Sequence, residues 1–524
     1  MLFDIACPKI KHKCNSEASY LAFGVKHTSI VKIIATSAIL FGASIAVSPS
    51  AHAFSGSGAG TPSDPYEIYT CAQLQEIAND LSADYELLDD IDCTGVGYTA
   101  IGDAITPFTG TLNGNLQTIS NITLSGGDRL GVFGETNGAT VENIKLENNS
   151  ISGGVILGTL VGQATDGTIR NIRAESTNTV SGTGNIGGII GSANSSTVAI
   201  SRTFFKGTVT LTGAYGGGIL GYAAGSITIA DSYSSGTLNA GVSYAGGIVG
   251  SVNSGSPVIS RVYSSMDING SGVLYGGIWG GFFGGTLQNS FSAADLTSNI
   301  PDSGGLFGLG NGTSTNNYFD EFAAGLSNCS SSGAASCTPV NAGNATPNYF
   351  VNNSTNDPLD TWNFDYLWDN STGLPSFPMF GAAQANTPTA TATSLNYGYQ
   401  FVALINAGNV SNIQLRYRPT NTGGAWIYIS GLTSNNMDYT LSGLNPNTAY
   451  TIEMRAYYDG VDEFSDWDDG RITGTTLAAA AVASSNATLA ETGDNYGLVA
   501  TFALLLITLP SLLLITTRAI KIRN

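Results

Sequence analysis

Histidine is what the body of this chain lacks: His12, His27 and His52 all precede residue 54, and none follows. Without imidazole, a Cys/His nucleophile cannot be assembled and the commonest zinc ligand is missing, so no metal, no cofactor and no catalytic residue is expected. Positive charge is scarce too. From Phe54 to Thr492 there are 11 basic against 35 acidic residues, a net charge of −24. Such a surface repels polyanions, which excludes nucleic acid and anionic lipid as partners and mainly favours solubility. Helical periodicity is absent between 130 and 320, where no window carries a 3.6-residue apolar repeat. Cysteine is sparse: beyond residue 54 only Cys71, Cys93, Cys329 and Cys337 remain. By proximity the pairs are Cys71 with Cys93 and Cys329 with Cys337, disulfides that an exported chain permits; free buried thiols are the alternative.

Glycine is abundant, 67 residues, and it is spaced. Gly134, Gly162, Gly191, Gly221, Gly250, Gly280 and Gly308 follow one another at steps of 28, 29, 30, 29, 30 and 28 residues. Five of the seven close the form Gly-Gly-[Ile/Leu]-hydrophobic-Gly, as in Gly187 to Gly191 and Gly276 to Gly280; Leu130 to Gly134 and Gly158 to Gly162 are looser copies. A fixed period of this size signals units that complete their burial only by stacking on their neighbours. After each glycine comes a polar turn and then a short β-rich run, among them Val141 to Leu146, Ile169 to Ile172, Ile227 to Ile229 and Val258 to Val262. Strands that recur once per coil stack about 4.8 Å apart into parallel sheets, so seven coils rise roughly 34 Å. The fold class is therefore all-β, a parallel β-solenoid of seven 28–30 residue repeats with flanking caps.

These motifs resemble the glycine-rich GLUG repeat family. Tyr66 to Ile68, Cys71 to Leu74, Asp89 to Asp92, Ala100 to Gly102, Phe108 to Gly114 and Thr118-Ile119 match the leader that family places before its repeats. Trp362, Phe364, Trp368 and Gly373 to Pro375 match its trailer. The resemblance covers about residues 66 to 378. It implies a bacterial surface or secreted protein, adhesin-like in some members, and thus a location and a shape more than a reaction.

In chain order, residues 1–53 read as a signal peptide, with Lys26 and Lys32 before the apolar run Ile33 to Val47 and the cleavage pattern Ala51-His52-Ala53. The leader is long for a signal, which allows a later start of translation; the mature chain begins near Phe54. Residues 54–129 form an N-terminal cap and leader of the solenoid. Within it Thr70-x-x-Gln73 is a capping box, followed by Leu74, Ile77, Ala78 and Leu81 at helical spacing, which predicts a short helix over the open first coil. Residues 130–322 are the repeats, and 323–385 read as a trailing cap and flexible joint. From 386 to 477 strands alternate without the glycine period, and Leu444-x-Pro446-x-Thr448-x-Tyr450 resembles the fibronectin type III signature, whose tyrosine closes a corner; Trp467 fits a strand near its end. The resemblance implies a β-sandwich that acts as a spacer or binding module, here a stem holding the solenoid outward. Arg-Gly-Asp is absent, which leaves integrin binding without support.

Residues 478–493 are a linker ending in Leu489, Ala490, Glu491, Thr492 and Gly493, and residues 494–524 hold the apolar run Gly497 to Thr517 and the basic end Arg518, Lys521 and Arg523. The run is long enough for a C-terminal transmembrane helix. Motif, span and basic tail resemble a sortase sorting signal of the Leu-Ala-x-Thr-Gly type. The resemblance implies sortase and cell-wall peptidoglycan as partners, attachment through Thr492, and membrane contact through the C-terminal helix before processing. A plain single-pass anchor is the alternative.

Two aromatic columns follow the period. Phe204, Tyr233, Tyr263, Phe291 and Tyr318 come after the repeat strands and are expected in the core. Tyr215, Tyr244 and Tyr275 precede the glycine pairs and, if exposed, offer ring faces for sugars; burial against the next coil is the alternative. A polar column, Asn143, Asn171, Ser201, Asp231, Ser260, Asn289 and Asn317, reads as a hydrogen-bonded ladder satisfying buried turns. Acids are sparse within the repeats, and Asp302, Asp320 and Glu321 gather only near their end, which argues against a glycoside-cleaving carboxylate pair. The expectation is a non-enzymatic, wall-anchored surface protein that binds a glycan or a receptor on a host or neighbouring cell. A structural spacer and a carbohydrate-active β-helix enzyme are the alternatives.

Overall fold

The structure, a computed structural model, describes residues 54–478 apart from breaks at 195–196, 242–243, 297–301, 344–347, 365–366, 372, 378–382, 386–388, 402–409, 421–425, 433–437, 459–462 and 465–471. The signal sequence, Trp467, the sorting motif Leu489 to Gly493 and the apolar run Gly497 to Thr517 lie outside the described residues. Among the described residues no helix is long and apolar enough to cross a membrane.

Three parallel sheets build a β-solenoid of about eight turns. A broad sheet of 18 strands runs the whole length, and two narrow sheets of seven and eight strands stack beside it. Along the broad sheet, Tyr85, Leu112, Val141, Ile169, Ile200, Ile229, Ile259 and Leu287 stand one above the other in register. Each is buried in a single continuous core. β-Branched and leucine side chains fill this column because alternate residues of a strand face inward and each inward position must meet its counterpart one coil away.

Each Gly-Gly motif is a U-turn joining the two narrow sheets. At Gly217 an added Cβ would lie 2.1 Å from the carbonyl oxygen of Leu220, and at Gly250 it would lie 2.3 Å from that of Gly221. Backbone passes at these points where no side chain fits, so the glycine period reflects close packing of one strand on another.

Both ends extend further than seven capped repeats. Tyr66–Ile68, Asp84–Leu87 and Thr111–Asn113 pair in register ahead of the first repeat strand, so the leader is itself coiled. The helix Cys71–Glu76 sits within this leader. The hydroxyl of Thr70 accepts from Gln73 N at 3.2 Å, and the Gln73 side chain accepts from Tyr69 N at 2.8 Å, one residue earlier than a standard capping box. At the other end Ser330–Gly333 adds an eighth strand to a narrow sheet. Cys71 bonds to Cys93 and Cys329 to Cys337, with Cα separations of 5.2 and 5.7 Å, tying the first and last coils.

The polar column differs from the expected one. Its members are Asn143, Asn171, Arg202, Asp231, Arg261, Asn289 and Asn316, all with φ between 47° and 60°. Ser201, Ser260 and Asn317 stand one residue away. The left-handed conformation bends the long strand once per coil, and Asn and Asp tolerate it best among residues with a side chain. Neighbouring members bond along the axis. Asn171 Nδ2 donates to Asn143 Oδ1 at 2.9 Å, Asn316 Nδ2 to Asn289 Oδ1 at 2.9 Å, and Arg261 grips Asp231 with two bonds of 2.7 and 2.6 Å.

Of the first aromatic column, Phe204, Tyr233, Tyr263 and Phe291 are buried, outside the solenoid core, and Tyr318 at its end is only partly buried. Phe205 points into that core, whereas its neighbour Phe204 faces the other way and belongs to a separate cluster. Phe204, Tyr233, Tyr263 and Phe291 stack at centroid distances of 4.9, 5.0 and 4.9 Å. A strap, residues 349–377, covers them with Phe350, Leu359, Trp362, Trp368 and Phe377. It is pinned by Tyr263 Oη donating to Pro375 O at 2.6 Å and Trp362 Nε1 donating to Asn289 O at 2.8 Å. Part of what the sequence suggests is a flexible joint is thus a lateral cover, running from the last coils back over the middle ones.

After the strap, two antiparallel sheets pack around Leu395, Leu415, Leu441, Ile452 and Met454. The hydroxyl of Tyr450 accepts from Asn445 N at 2.9 Å, closing a corner. This domain folds back onto the leading coils, which differs from an outward stem. Arg416 donates to Glu86 at 2.8 Å and to Glu453 at 2.6 Å, Arg418 pairs with Glu67, and Trp426 Nε1 donates to Glu86 at 3.3 Å. Both guanidiniums lie over the Trp426 ring, at 4.2 and 3.9 Å from its centre. Carboxylates left alone on the outer face of the first coils would cost several kcal/mol if buried; the pairing lets this face be covered.

Candidate functional site

The U-turns carry a half-buried aromatic cluster over which no strap lies among the described residues. Because the chain reverses between Gly217 and Leu220, Tyr215 and Tyr222 meet across the turn, with ring centroids 5.0 Å apart. Tyr215 and Tyr244 are in register on adjacent coils and stack at 5.6 Å. Phe283, 42% exposed, meets the Tyr244 ring edge-on at 5.6 Å. Partial burial beside two other phenols pushes the Tyr215 hydroxyl above its ordinary pKa.

Tyr275 does not belong to this cluster. It pairs in register with Ala245, not Tyr244, because it stands five residues before its closing glycine Gly280, where Tyr215 and Tyr244 stand six before Gly221 and Gly250. A one-position slip turns a side chain to the opposite face. Tyr275 is buried, its hydroxyl donating to Ala240 O and accepting from Gly272 N at 2.9 Å. Tyr222 and Phe283 take the open positions instead. Tyr222 had a signal in the sequence: it follows the closing glycine Gly221, seven residues after Tyr215, which a U-turn centred on Gly218 brings opposite.

The neighbouring coils toward the N-terminus continue the site in polar form. Arg129 Nε lies 3.2 Å from Glu135 Oε2 and donates to Gln163 Oε1 at 3.3 Å, while Gln163 Nε2 donates to Glu135 Oε1 at 3.1 Å. Asp320 caps the short helix Glu321–Ala324 through Ala323 N at 2.8 Å and holds Asn341 at 2.7 Å. Among the described residues no group of three or more His, Cys, Asp and Glu side chains could hold a metal ion.

No family model matches the chain. Over 138 residues, 23% of its length, it is 40% identical to halomucin of Haloquadratum walsbyi. Over 135 residues, 22% of its length, it is 35% identical to a candidate Gly-rich membrane protein of Evansella cellulosilytica. The matches span 2% and 15% of those relatives. Among solved structures it is similar to a candidate immunoglobulin A1 protease of Bacteroides ovatus, at 19% identity over 61% of this chain and 95% of that one, TM-score 0.40. It is also similar to an fn3 domain of human collagen alpha-1(XX), at 22% identity over 21% of this chain and 98% of that one, TM-score 0.17. Neither structural likeness bears on activity at these scores.

Proposed function

We propose that this is an exported surface protein of the GLUG-repeat type that binds neutral carbohydrate, on a host, a neighbouring cell or the surrounding matrix, through the rings of Tyr215, Tyr222, Tyr244 and Phe283. The observation that carries the reading is the partly exposed cluster itself: four rings gather on one edge while the other aromatic column lies under a strap. Tyrosine faces suit the C–H faces of sugars and their hydroxyls suit sugar hydroxyls, whereas the net charge of −24 disfavours anions. Relatives named halomucin and Gly-rich membrane protein favour a surface location. Export by residues 1–53, a fibronectin type III-like fold for the C-terminal domain, a membrane helix at Gly497 to Thr517 and sortase attachment through Thr492 belong to the same proposal. The role is binding without turnover.

The test is a glycan array probed with the exported chain and with a variant carrying Tyr215→Ala, Tyr222→Ala and Tyr244→Ala. Binding to neutral glycans that the variant loses supports the reading; a blank array leaves a structural spacer in its place. For the anchor, wall digests should yield a peptide ending at Thr492 joined to a cross-bridge amine. Detergent-extractable chain that retains Gly493 would show a plain membrane anchor.

A further inference from the structure

We infer that the aromatic cluster is one end of a longer binding strip, and that its ligand is a linear, uncharged polysaccharide lying parallel to the solenoid axis. The inference rests on the carbohydrate reading above and adds the polymer's direction, extent and charge.

Two columns flank the U-turns. Strand register places Arg129, Ile156, Asn185, Tyr215 and Tyr244 one above the other on one side. It places Glu135, Gln163, Ser192, Tyr222, Ser251 and Gly281 one above the other on the other side. The columns touch across the turn at two places: Arg129 contacts Glu135 and Gln163 on the first coils, and Tyr215 meets Tyr222 three coils on. Arg129, Ile156, Asn185, Tyr215 and Tyr244 are each partly exposed and form the open strip, whereas Glu135, Gln163, Ser192 and Ser251 of the second column are buried. The strip changes from the guanidinium of Arg129 and the amide of Asn185 to the half-buried rings of Tyr215 and Tyr244, the two kinds of surface that bind the hydroxyl edges and the C–H faces of sugars.

Five steps separate the coil of Glu135 from that of Gly281, a span of about 24 Å at roughly 4.8 Å per coil. An extended pyranoside chain advances by a comparable distance per sugar, so successive sugars would meet successive coils in equivalent settings. A chain lying across the axis would reach only one coil. Charge narrows the class further. The Arg129 guanidinium is already matched by Glu135, so the strip offers no unbalanced cation to a uronic acid or sulfated sugar. Gly281 completes the aromatic end: a Cβ there would stand 2.9 Å from both the Phe283 and the Tyr244 ring, so glycine lets the rings close over the last position.

The test is calorimetric titration of the exported chain with neutral oligosaccharides of two to six sugars, taken from β-1,4-gluco, β-1,4-manno and β-1,3-gluco series. For at least one series, affinity should rise by about tenfold or more from two sugars to five, because linked contacts add. Asn185→Ala, on a partly exposed side chain, should return the five-sugar ligand to the affinity of the two-sugar ligand while leaving the latter unchanged. Asn185→Ser, a smaller change at the same position, serves the same purpose if Asn185→Ala lowers the melting temperature. Tyr215→Ala with Tyr222→Ala should abolish binding at every length. Binding that needs the tyrosines but is indifferent to length, or to both polar variants, overturns the strip and leaves the carbohydrate reading standing. No binding at any length in any series overturns both.

Discussion

Two aromatic columns on one solenoid have opposite fates. Phe204, Tyr233, Tyr263 and Phe291 recur once per coil on the outer face of the broad sheet, and Tyr215 and Tyr244 recur with the same period on the U-turn edge. Composition and spacing do not separate them. What does is a segment outside the repeat: residues 349–377 lay three tryptophan and phenylalanine anchors, Trp362, Trp368 and Phe377, over the first column and none over the second. Periodicity thus predicts that rings will align. Whether the alignment becomes core or surface depends on a cover supplied from elsewhere in the chain.

The largest expected effect falls on the covered column. Tyr263→Ala removes a ring held between Tyr233 and Phe291 together with its bond to Pro375, and should destabilise the chain by about 3–5 kcal/mol in urea unfolding. Limited proteolysis of the same variant should show new cleavage within 349–377. A loss below about 1 kcal/mol would mean that the strap does not bury this column.

A smaller effect follows from pH. Burial pushes the Tyr233 and Tyr263 hydroxyls well above their ordinary value, and burial together with the bond to Asp357 pushes Tyr318 up to about 12. A phenol whose folded pKa is raised binds its proton more tightly when folded. The stability it contributes is complete below the unfolded value near 10 and falls as pH rises from there through 12. Alkaline titration should therefore show a late tyrosinate step coincident with strap release, and Tyr263→Phe should reduce that step.

The smallest effect on stability, and the largest on ligand, belongs to the open column. Tyr215→Ala with Tyr222→Ala should change unfolding free energy by less than about 1 kcal/mol while abolishing carbohydrate binding. A loss comparable to that of Tyr263→Ala would show these rings to be packing elements.

Local signals carried much of this fold in readable form. The glycine steps located each U-turn, Thr70 and Gln73 marked the helix Cys71–Glu76, and Val141, Ile169 and Ile259 took inward places in the broad sheet. Register was also present but easily misread: Tyr275 stands one residue closer to its closing glycine than Tyr215 and Tyr244 do, which moves its ring from edge to core. Contacts between distant segments left no local trace. Nothing around Pro375 points to Tyr263, 112 residues earlier, and nothing around Arg416 points to Glu86, 330 residues earlier, because such pairings are set by how whole surfaces meet.

Hydroxyl-radical footprinting of the exported chain, alone and with a neutral polysaccharide that it binds, tests the contrast between the columns most directly. Tyr215, Tyr222, Tyr244 and Phe283 should be labelled readily in the free protein and become protected by the polysaccharide, while Phe204, Tyr233, Tyr263 and Phe291 stay protected in both states. Equal labelling of the two sets in the free protein, or ligand protection that falls on neither Tyr215 nor Tyr222, would contradict the assignment of one column to structure and the other to recognition.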